Sequence, residues 1–213
     1  IRDLPQDGSA RAVALPTLLG EFGVPYDLNR RVGFIKNDWH PHDTALGMYY
    51  ALFDELGLSS TQWNYVSDND NTFGDHWNLE DLSIFSRDQV VKPVVGLPPG
   101  YEGARGARGF SRPYAPLVAG ERLWVVFYPE PRAEFELRYL PDASNFTTPT
   151  GERDDCTCTV VFLPDIHFPF APRVTVDGGV FSLERVPGRH VLRVWASLPP
   201  RAPAAVNADA LHV

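Results

Sequence analysis

Three segments near the N-terminus differ in how their apolar positions repeat. Residues Ala12–Phe22 form a short apolar run bounded by polar and glycine residues, which is typical of a strand buried on both faces of a parallel sheet. In residues Thr44–Leu56 apolar side chains recur at helical spacing, with Asp43 placed to cap the helix and Gly57 to stop it. Residues Ser59–Val66 are rich in β-formers. Strand, crossover helix and strand together predict a βαβ unit.

The pattern changes near Gly120, after which short β-rich runs alternate with turn residues. Six such runs predict an antiparallel β-sandwich. The runs are Leu123–Pro129, Ala133–Leu140, Cys158–Pro164, Pro172–Gly179, Val180–Val186 and His190–Leu198. Residues Asp81–Val118 are predicted to be irregular, with a short helix near Ala104–Phe110. The sequence therefore predicts two domains, α/β over residues 1–119 and all-β over residues 120–213.

Composition and charge narrow the class of protein. Of the 213 residues, 44% are hydrophobic and 22% are charged, as in ordinary globular proteins that bury a core. The net charge of -8 argues against a nucleic-acid partner, because phosphate recognition needs a clustered basic face. No apolar run approaches the roughly 18 to 20 residues that span a bilayer, so we expect a soluble chain. Because the chain begins with Ile1 and not with Met, we also expect further sequence upstream.

Two local features leave the cellular compartment open. Cys156 and Cys158 would share one face of a strand with their Cα atoms about 6.5 to 7 Å apart, so a disulfide between them would be strained. Asn145 begins an N-glycosylation sequon, which matters only in a secretory context. The sequence therefore assigns no localisation.

Glu21 is the sharpest candidate for chemistry. It falls at the C-terminal end of the first predicted strand, between Gly20 and Gly23, and α/β barrels assemble their catalytic groups at that end of their strands. Trp63 lies near the end of the second predicted strand and is expected on the same rim. An aromatic ring beside a carboxylate suits a sugar, whose C–H faces stack on the ring. The alternatives are a solvated glutamate at a strand end and a tryptophan that belongs to the core.

A long polar loop, Asp68–Glu80, follows the second strand. Loops of this length in compact domains are usually functional or disordered, and the tryptophan and phenylalanine in this loop disfavour disorder. We expect Asp68, Asn69 or Asp75 to bind sugar hydroxyl groups. Asp75 and Glu80 are equally suited to capping the turn that follows.

Two segments carry a resemblance to a known family. Residues 15–28, LPTLLGEFGVPYDL, and residues 61–88, TQWNYVSDNDNTFGDHWNLEDLSIFSRD, resemble family 5 glycoside hydrolases of the endoglycoceramidase, glucosylceramidase and steryl-β-glucosidase branch. The resemblance implies strands seven and eight of a (β/α)8 TIM barrel followed by a β-sandwich. It implies that Glu21 is the catalytic nucleophile of a retaining β-glycosidase. It also implies that the substrate-binding residues include Trp63, Asp68, Asn69, Asp75 and Trp77.

One departure from the family bears on activity. Retaining hydrolysis needs two carboxyl groups about 5 to 5.5 Å apart, and in this family the acid/base group follows an asparagine at the end of strand four. No Asn-Glu dipeptide occurs in this chain, and barrel strands one to six have no counterpart in it. We therefore expect the chain alone to be inactive and its partner to be the N-terminal part of the same enzyme. A carbohydrate or glycolipid is the expected substrate, and peripheral membrane contact stays open.

Metal and polyanion sites are weaker interpretations. Aligning the loop with a calcium-binding EF-hand on Gly74 puts Phe73 at a ligand position, so the register fails. Asp38, His40, His42 and Asp43 could suggest a transition-metal site, but a surface loop that leads into a helix explains them better. Three arginines, Arg105, Arg108 and Arg112, are expected to form a solvated face or acidic contacts to the barrel. The sequence predicts neither a metal nor a cofactor.

Two functions from different classes remain at this point. The first is the nucleophile-bearing part of a retaining β-glycosidase acting on an amphiphilic glycoside. The second is a non-catalytic carbohydrate-binding β-sandwich with a vestigial barrel fragment. An Asn-Glu at a strand end in an upstream polypeptide would favour the enzyme.

Overall fold

The computed structural model of the chain describes residues 17–77, 80–142 and 158–196, with the backbone alone at residues 29 and 204–209. The described elements form an N-terminal group that mixes strands and helices and a C-terminal group of strands. In chain order they are β1 (Leu18–Phe22), α1 (Leu28–Lys36), α2 (His40–Leu56), β2 (Ser59–Gln62), α3 (Arg87–Val91), α4 (Ala107–Phe110), β3 (Tyr114–Leu117), β4 (Gly120–Tyr128), β5 (Glu134–Pro141), β6 (Thr159–Pro164), β7 (Arg173–Asp177), β8 (Gly179–Val186), β9 (Arg189–Ala196) and β10 (Ala204–Asp209).

β1 and β2 form a two-stranded parallel sheet, and α2 lies between them in the chain. The predicted βαβ unit is thereby confirmed. Leu18 pairs with Ser59 and Phe22 pairs with Gln62, while the register shifts by one residue at Gly20. Two strands cannot close a barrel, so the (β/α)8 barrel remains a proposal about a longer protein.

α2 begins at His40 and not at Thr44 as predicted. Pro41 lies in the first turn, where a proline removes no intrahelical hydrogen bond. Asp43 is therefore not the helix cap that the sequence predicted. Its carboxylate accepts a hydrogen bond of 3.0 Å from the backbone N–H of Arg108, and burial raises the pKa of this carboxyl group to about 6.

β2 ends at Gln62, whereas the predicted strand continued to Val66. The backbone of Asn64 turns to a different partner, donating to the carbonyl of Leu82 over 3.2 Å and accepting from Ile84 over 2.9 Å. From Asn64 onward the chain is therefore bonded to the segment that follows the polar loop, and its pairing with β1 ends at Trp63.

The remaining helices and the ends of the elements agree in part with the sequence-based prediction. Gly57 ends α2 in a left-handed conformation, as expected, and α4 corresponds to the short helix predicted near residues 104–110. α1 and α3 were not predicted. β1 begins at Leu18, and residues 12–16 of the predicted strand lie outside the described part of the chain. None of the helices in the described part has the length and hydropathy of a membrane span.

The C-terminal strands form two four-stranded sheets with the orders β4-β5-β10-β7 and β3-β6-β9-β8. All pairs within them are antiparallel, which confirms the predicted sandwich. Buried side chains from both sheets, such as Phe135, Leu137, Val161 and Leu192, fill the space between them. All six predicted strands are present. β3 and β10 are additional, and β3 precedes the proposed domain boundary near Gly120.

The two groups of elements meet around α4. Arg112, which follows this helix, is buried and donates to the carboxylate of Asp54 in α2 over 3.0 Å, while its guanidinium lies 4.9 Å from the ring centre of Phe127 in β4. Arg108 in α4 donates to a sandwich carbonyl, and its own carbonyl lies 3.0 Å from Nε2 of His167. The expected acidic contact is thus confirmed for Arg112, and the solvated face is wrong for it.

Candidate active site

The two faces of the parallel sheet differ in what they contact. The ring of Phe22 packs against Tyr50 and Phe53 of α2, with ring centres 5.3 and 4.9 Å apart. Gln62, which pairs with Phe22 across the sheet, accepts a hydrogen bond of 2.9 Å from the hydroxyl of Tyr50. Because successive side chains of a strand point to opposite faces, Glu21 points away from α2. Its side chain is exposed at the carboxyl end of β1.

Trp63 follows β2 directly, on the strand next to Glu21. Its backbone N–H donates to the carbonyl of Phe22 over 2.7 Å, which extends the contact between the two strands by one residue. A Cβ atom on Gly23 would collide with the Trp63 carbonyl oxygen, so only glycine allows this approach. The Trp63 side chain is half-buried, and the Trp63–Asn64 peptide bond is cis. Trp63 follows Gln62, so the alternation assigns it to the Glu21 side.

The buried carboxylate of Asp75 ties the polar loop to the end of β2. One of its oxygens accepts a hydrogen bond of 3.0 Å from the side-chain amide of Asn64, and the other accepts one of 3.0 Å from the backbone N–H of Trp77. Asp75 is only 5% exposed, so both oxygens are engaged within the protein. Trp77 itself is 60% exposed, and residues 78–79, including Asn78, lie outside the described part.

Asp68 and Asn69, the first two polar residues of the loop, have opposite environments. Asp68 is exposed. Asn69 is fully buried, its carbonyl accepts from the backbone N–H of Arg87 over 2.9 Å, and its side-chain amide has no hydrogen-bond partner among the described residues. Of the five predicted substrate-binding residues, Trp63, Asp68 and Trp77 therefore reach the surface of this chain, whereas Asn69 and Asp75 do not.

A buried ion pair holds the end of this loop; it confirms the acidic contact expected for Arg105, whereas its partner Asp81 and its full burial were not predicted. Arg105 is fully buried and donates to both carboxylate oxygens of Asp81, over 2.9 and 2.5 Å, and to the carbonyl of Ser83. Its guanidinium lies 4.3 Å from the ring centre of Tyr26, whose backbone N–H in turn donates to the carbonyl of Asp81. Burial raises the pKa of the Tyr26 hydroxyl. This cluster joins the chain after β1 to the chain after β2.

Outside the site, the structure departs most clearly from the sequence-based expectation at His42. It was assigned to a surface loop, but it is 1% exposed within α2. Its ring stacks on Tyr26 with the ring centres 5.2 Å apart and lies 5.4 Å from Trp39. Burial, and secondly the nearby charge of Arg105, lower the pKa of the His42 imidazole. The signal that could have found it is the spacing of Trp39, His42 and Leu46, three and four residues apart on one helical face.

Comparison with known proteins agrees with the resemblance found in the sequence. Residues 112–204 match the family described as Glycoside hydrolase family 5 C-terminal domain. This part of the chain is similar to a family 5 C-terminal domain. The glucosylceramidase of Rhizopus delemar is 30% identical over 178 residues, which cover 79% of this chain and 24% of that protein. The similarity therefore extends upstream of the family 5 C-terminal domain into the βαβ unit.

Solved structures share the fold of both parts. Cryptococcus neoformans sterylglucosidase 1 with tris has a TM-score of 0.73 at 23% identity, covering 92% of this chain and 30% of that one. Endo-glycoceramidase II from Rhodococcus sp., in a five-membered iminocyclitol complex, has a TM-score of 0.56 at 20% identity, covering 92% of this chain and 33% of that one. The chain thus covers only 24% to 33% of the length of these three proteins.

Proposed function

We propose that this chain is the nucleophile-bearing part of a retaining β-glycosidase, and that Glu21 is the nucleophile. The observation that carries the proposal is the position of Glu21, exposed at the carboxyl end of a parallel strand on the face turned away from the crossover helix. Barrel enzymes use that end and that face for catalysis. Trp63, one residue beyond the neighbouring strand, supplies an aromatic surface for the C–H face of the sugar.

The proposed reaction has two steps. A carboxylate oxygen of Glu21 forms a bond to the anomeric carbon as the bond from that carbon to the leaving oxygen breaks, and a carboxylic acid from elsewhere in the longer enzyme protonates the leaving oxygen. Water then attacks the same carbon, its proton passes to the acid/base carboxylate, and Glu21 leaves as a carboxylate. Two inversions at one carbon give net retention.

The substrate class comes from the relatives. They are named for glucosylceramide, for steryl glucosides and for glycoceramides, which share a sugar joined through oxygen to a large apolar alcohol. We propose that the substrate of this protein is a β-glucoside or glycolipid of that kind. The loop tryptophan, Trp77, is 60% exposed on the described surface and is suited to contact the sugar or the apolar alcohol.

The proposed partner is the N-terminal part of the same enzyme, with barrel strands one to six. An apolar stripe on α2 supports this partner. Met48, Leu52 and Leu56 follow one another at spacings of four residues and are 71%, 49% and 52% exposed. Leu18, on β1, is 63% exposed. In a complete barrel, β1 and α2 would pack against the strand and the helix that precede them, and this contact would bury these side chains.

Substitution of the nucleophile tests the proposal in the full-length polypeptide. Glu21→Gln is nearly isosteric, so it removes the attacking charge without opening a cavity. We expect turnover of an aryl β-glucoside to fall to background while binding of the glycoside is largely retained. Glu134→Gln, at an exposed carboxylate of β5, is the matched control and should leave turnover unchanged. Normal turnover by Glu21→Gln would contradict the proposal, and sugar binding by a full-length protein without any turnover would favour the carbohydrate-binding alternative.

The chain of 213 residues should itself be inactive, because the proposed acid/base group lies elsewhere. Steady hydrolysis of an aryl β-glucoside by the purified chain, lost in Glu21→Gln, would mean that a second carboxyl group of this sequence acts as the acid.

A further inference from the structure

The outer face of the sheet β3-β6-β9-β8 is more apolar than an exposed face of a sandwich usually is. Inner positions of β6 and β9, such as Val161 and Leu192, belong to the core. Side chains alternate along a strand, so the outer positions are the residues between them. Tyr114, Phe162 and Val191 lie opposite one another in β3, β6 and β9 on this outer face, and the row ends at Glu184 of β8, which pairs with Arg193. Antiparallel sheets with one solvated face normally carry polar residues there.

This row borders a cleft of about 280 Å³. The cleft is lined by Tyr114, Pro116, Val160, Val161, Phe162, Arg189 and Val191. Tyr114 is 53% exposed, and its ring centre lies 5.1 Å from that of Phe162 at a tilt of 40°. The lining therefore combines aliphatic and aromatic surface with a single charged residue.

Arg189 supplies that charge. It is exposed at the start of β9, and its guanidinium lies 5.8 Å from the ring centre of Phe162. Within the described part of the chain it forms no salt bridge, in contrast to Arg193 on the same face, which pairs with Glu184 over 3.1 Å. Although the chain as a whole has a net charge of -8, distant charges are screened beyond roughly 8 Å at physiological salt, and the charge that lies at the cleft itself is that of Arg189.

We propose that this outer sheet face docks on the surface of a phospholipid bilayer that contains anionic lipid. Tyr114 enters the interfacial region, where amphipathic rings are favoured, and Phe162, Val160 and Val191 cover acyl-chain surface. Arg189 donates to a lipid phosphate or carboxylate, whose charge complements its own. A sugar is the poorer occupant, because the tyrosine hydroxyl and the guanidinium are the polar side-chain groups among the lining residues.

The docking face does not involve Glu21. It is consistent with the proposed function, because a glycolipid substrate lies in a bilayer. Vesicles that contain no glycolipid therefore test it alone. Failure of vesicle binding would leave the proposed catalysis standing, and failure of catalysis would leave the docking face standing.

The test is flotation of the 213-residue chain with vesicles of phosphatidylcholine, with or without phosphatidylserine. We expect stronger binding when phosphatidylserine is present. Arg189→Gln should weaken that binding about fivefold, as expected for one basic residue at an anionic surface. Tyr114→Ser should weaken binding to both vesicle types by about tenfold, because it removes an inserted ring. Both residues are exposed, so the variants should fold, which thermal unfolding verifies.

Matched controls come from the other sheet. Tyr128→Ser removes a ring that is 52% exposed on β4, and Arg132→Gln removes an exposed cation after that strand. Neither should change binding, and any background from the apolar stripe on α2 is common to all variants. The proposal is overturned if the unsubstituted chain does not float, if it binds both vesicle types equally, or if the controls weaken binding as much as the test variants. A dimer that Tyr114→Ser disperses, with no vesicle binding, would assign the face to a second copy of the chain.

Discussion

The guanidinium of Arg105 lies 4.3 Å from the centre of the Tyr26 ring, and both side chains are fully buried. Arg105 precedes α4, whereas Tyr26 follows β1, so the contact connects segments about eighty residues apart. The same guanidinium also binds the carboxylate of Asp81. Arg105 therefore holds the segment that follows β1 against the segment that follows β2.

Arg105→Met should destabilise the chain strongly. The substitution leaves the carboxylate of Asp81 buried without its cation, which typically costs about 3 to 5 kcal/mol. Replacing both partners, as Arg105→Met with Asp81→Leu, should cost less than the single change because no charge is left buried. Denaturant unfolding of the 213-residue chain measures the free energies. A loss below about 1 kcal/mol for Arg105→Met would show that the buried pair does not hold the loop.

Gly23→Ala should disturb the end of the parallel sheet. The new methyl group would collide with the carbonyl oxygen of Trp63, a backbone atom that cannot move without shifting the strand end. Overpacking of this kind typically costs about 1 to 3 kcal/mol. Gly20→Ala is the control, because a methyl group there meets no atom within 4 Å. Equal stabilities of the two variants in denaturant unfolding would argue against the close approach at Gly23.

His167 should make the chain sensitive to acid. Burial, helped by the charges of Arg108 and Arg112, lowers the pKa of its imidazole to about 4, while the unfolded chain binds the same proton near pH 6.5. Between these values the unfolded state holds more protons, so the free energy of unfolding falls as the pH drops from about 6.5 to 4. The loss from this group is on the order of 3 kcal/mol.

His167→Gln should flatten that part of the stability curve, because glutamine can still donate to the carbonyl of Arg108 without titrating. His40→Gln, at an exposed histidine, serves as the control. Urea unfolding between pH 4 and 8 provides the measurement. An unchanged slope in His167→Gln would mean that other groups cause the acid sensitivity.

Local patterns predicted the elements whose side chains alternate or repeat clearly. α2 and the six predicted strands of the sandwich, β4 to β9, belong to this class. β10 was missed because its sequence, AAVNAD, lacks the large β-formers and is recognised only by its pairing with β5 and β7. The start of α2 was missed because Pro41 between two histidines suggested a turn, although proline is also favoured in a first helical turn.

The same distinction applies to the candidate site, where local sequence patterns identify some residues and not others. The glycines around Glu21 and the strand end near Trp63 are local signals, so both residues could be selected from the sequence. The burial of Asn69 and Asp75 and the pairing of Arg105 with Asp81 depend on contacts between segments distant in the chain. The charge pattern allowed an acidic contact for Arg105, but neither it nor the periodicity identifies Asp81 as the partner or predicts the burial.

Covalent trapping on Glu21 tests the central proposal most directly. A 2-deoxy-2-fluoroglucoside with a good leaving group should react with the full-length polypeptide and leave a glycosyl ester that turns over slowly. Peptide mass spectrometry should then find the added mass on the peptide that contains Glu21, and Glu21→Gln should not be labelled. A label on Glu55, on Glu80 or on a carboxylate outside this chain, with Glu21 unmodified, would contradict the assignment of Glu21 as the nucleophile.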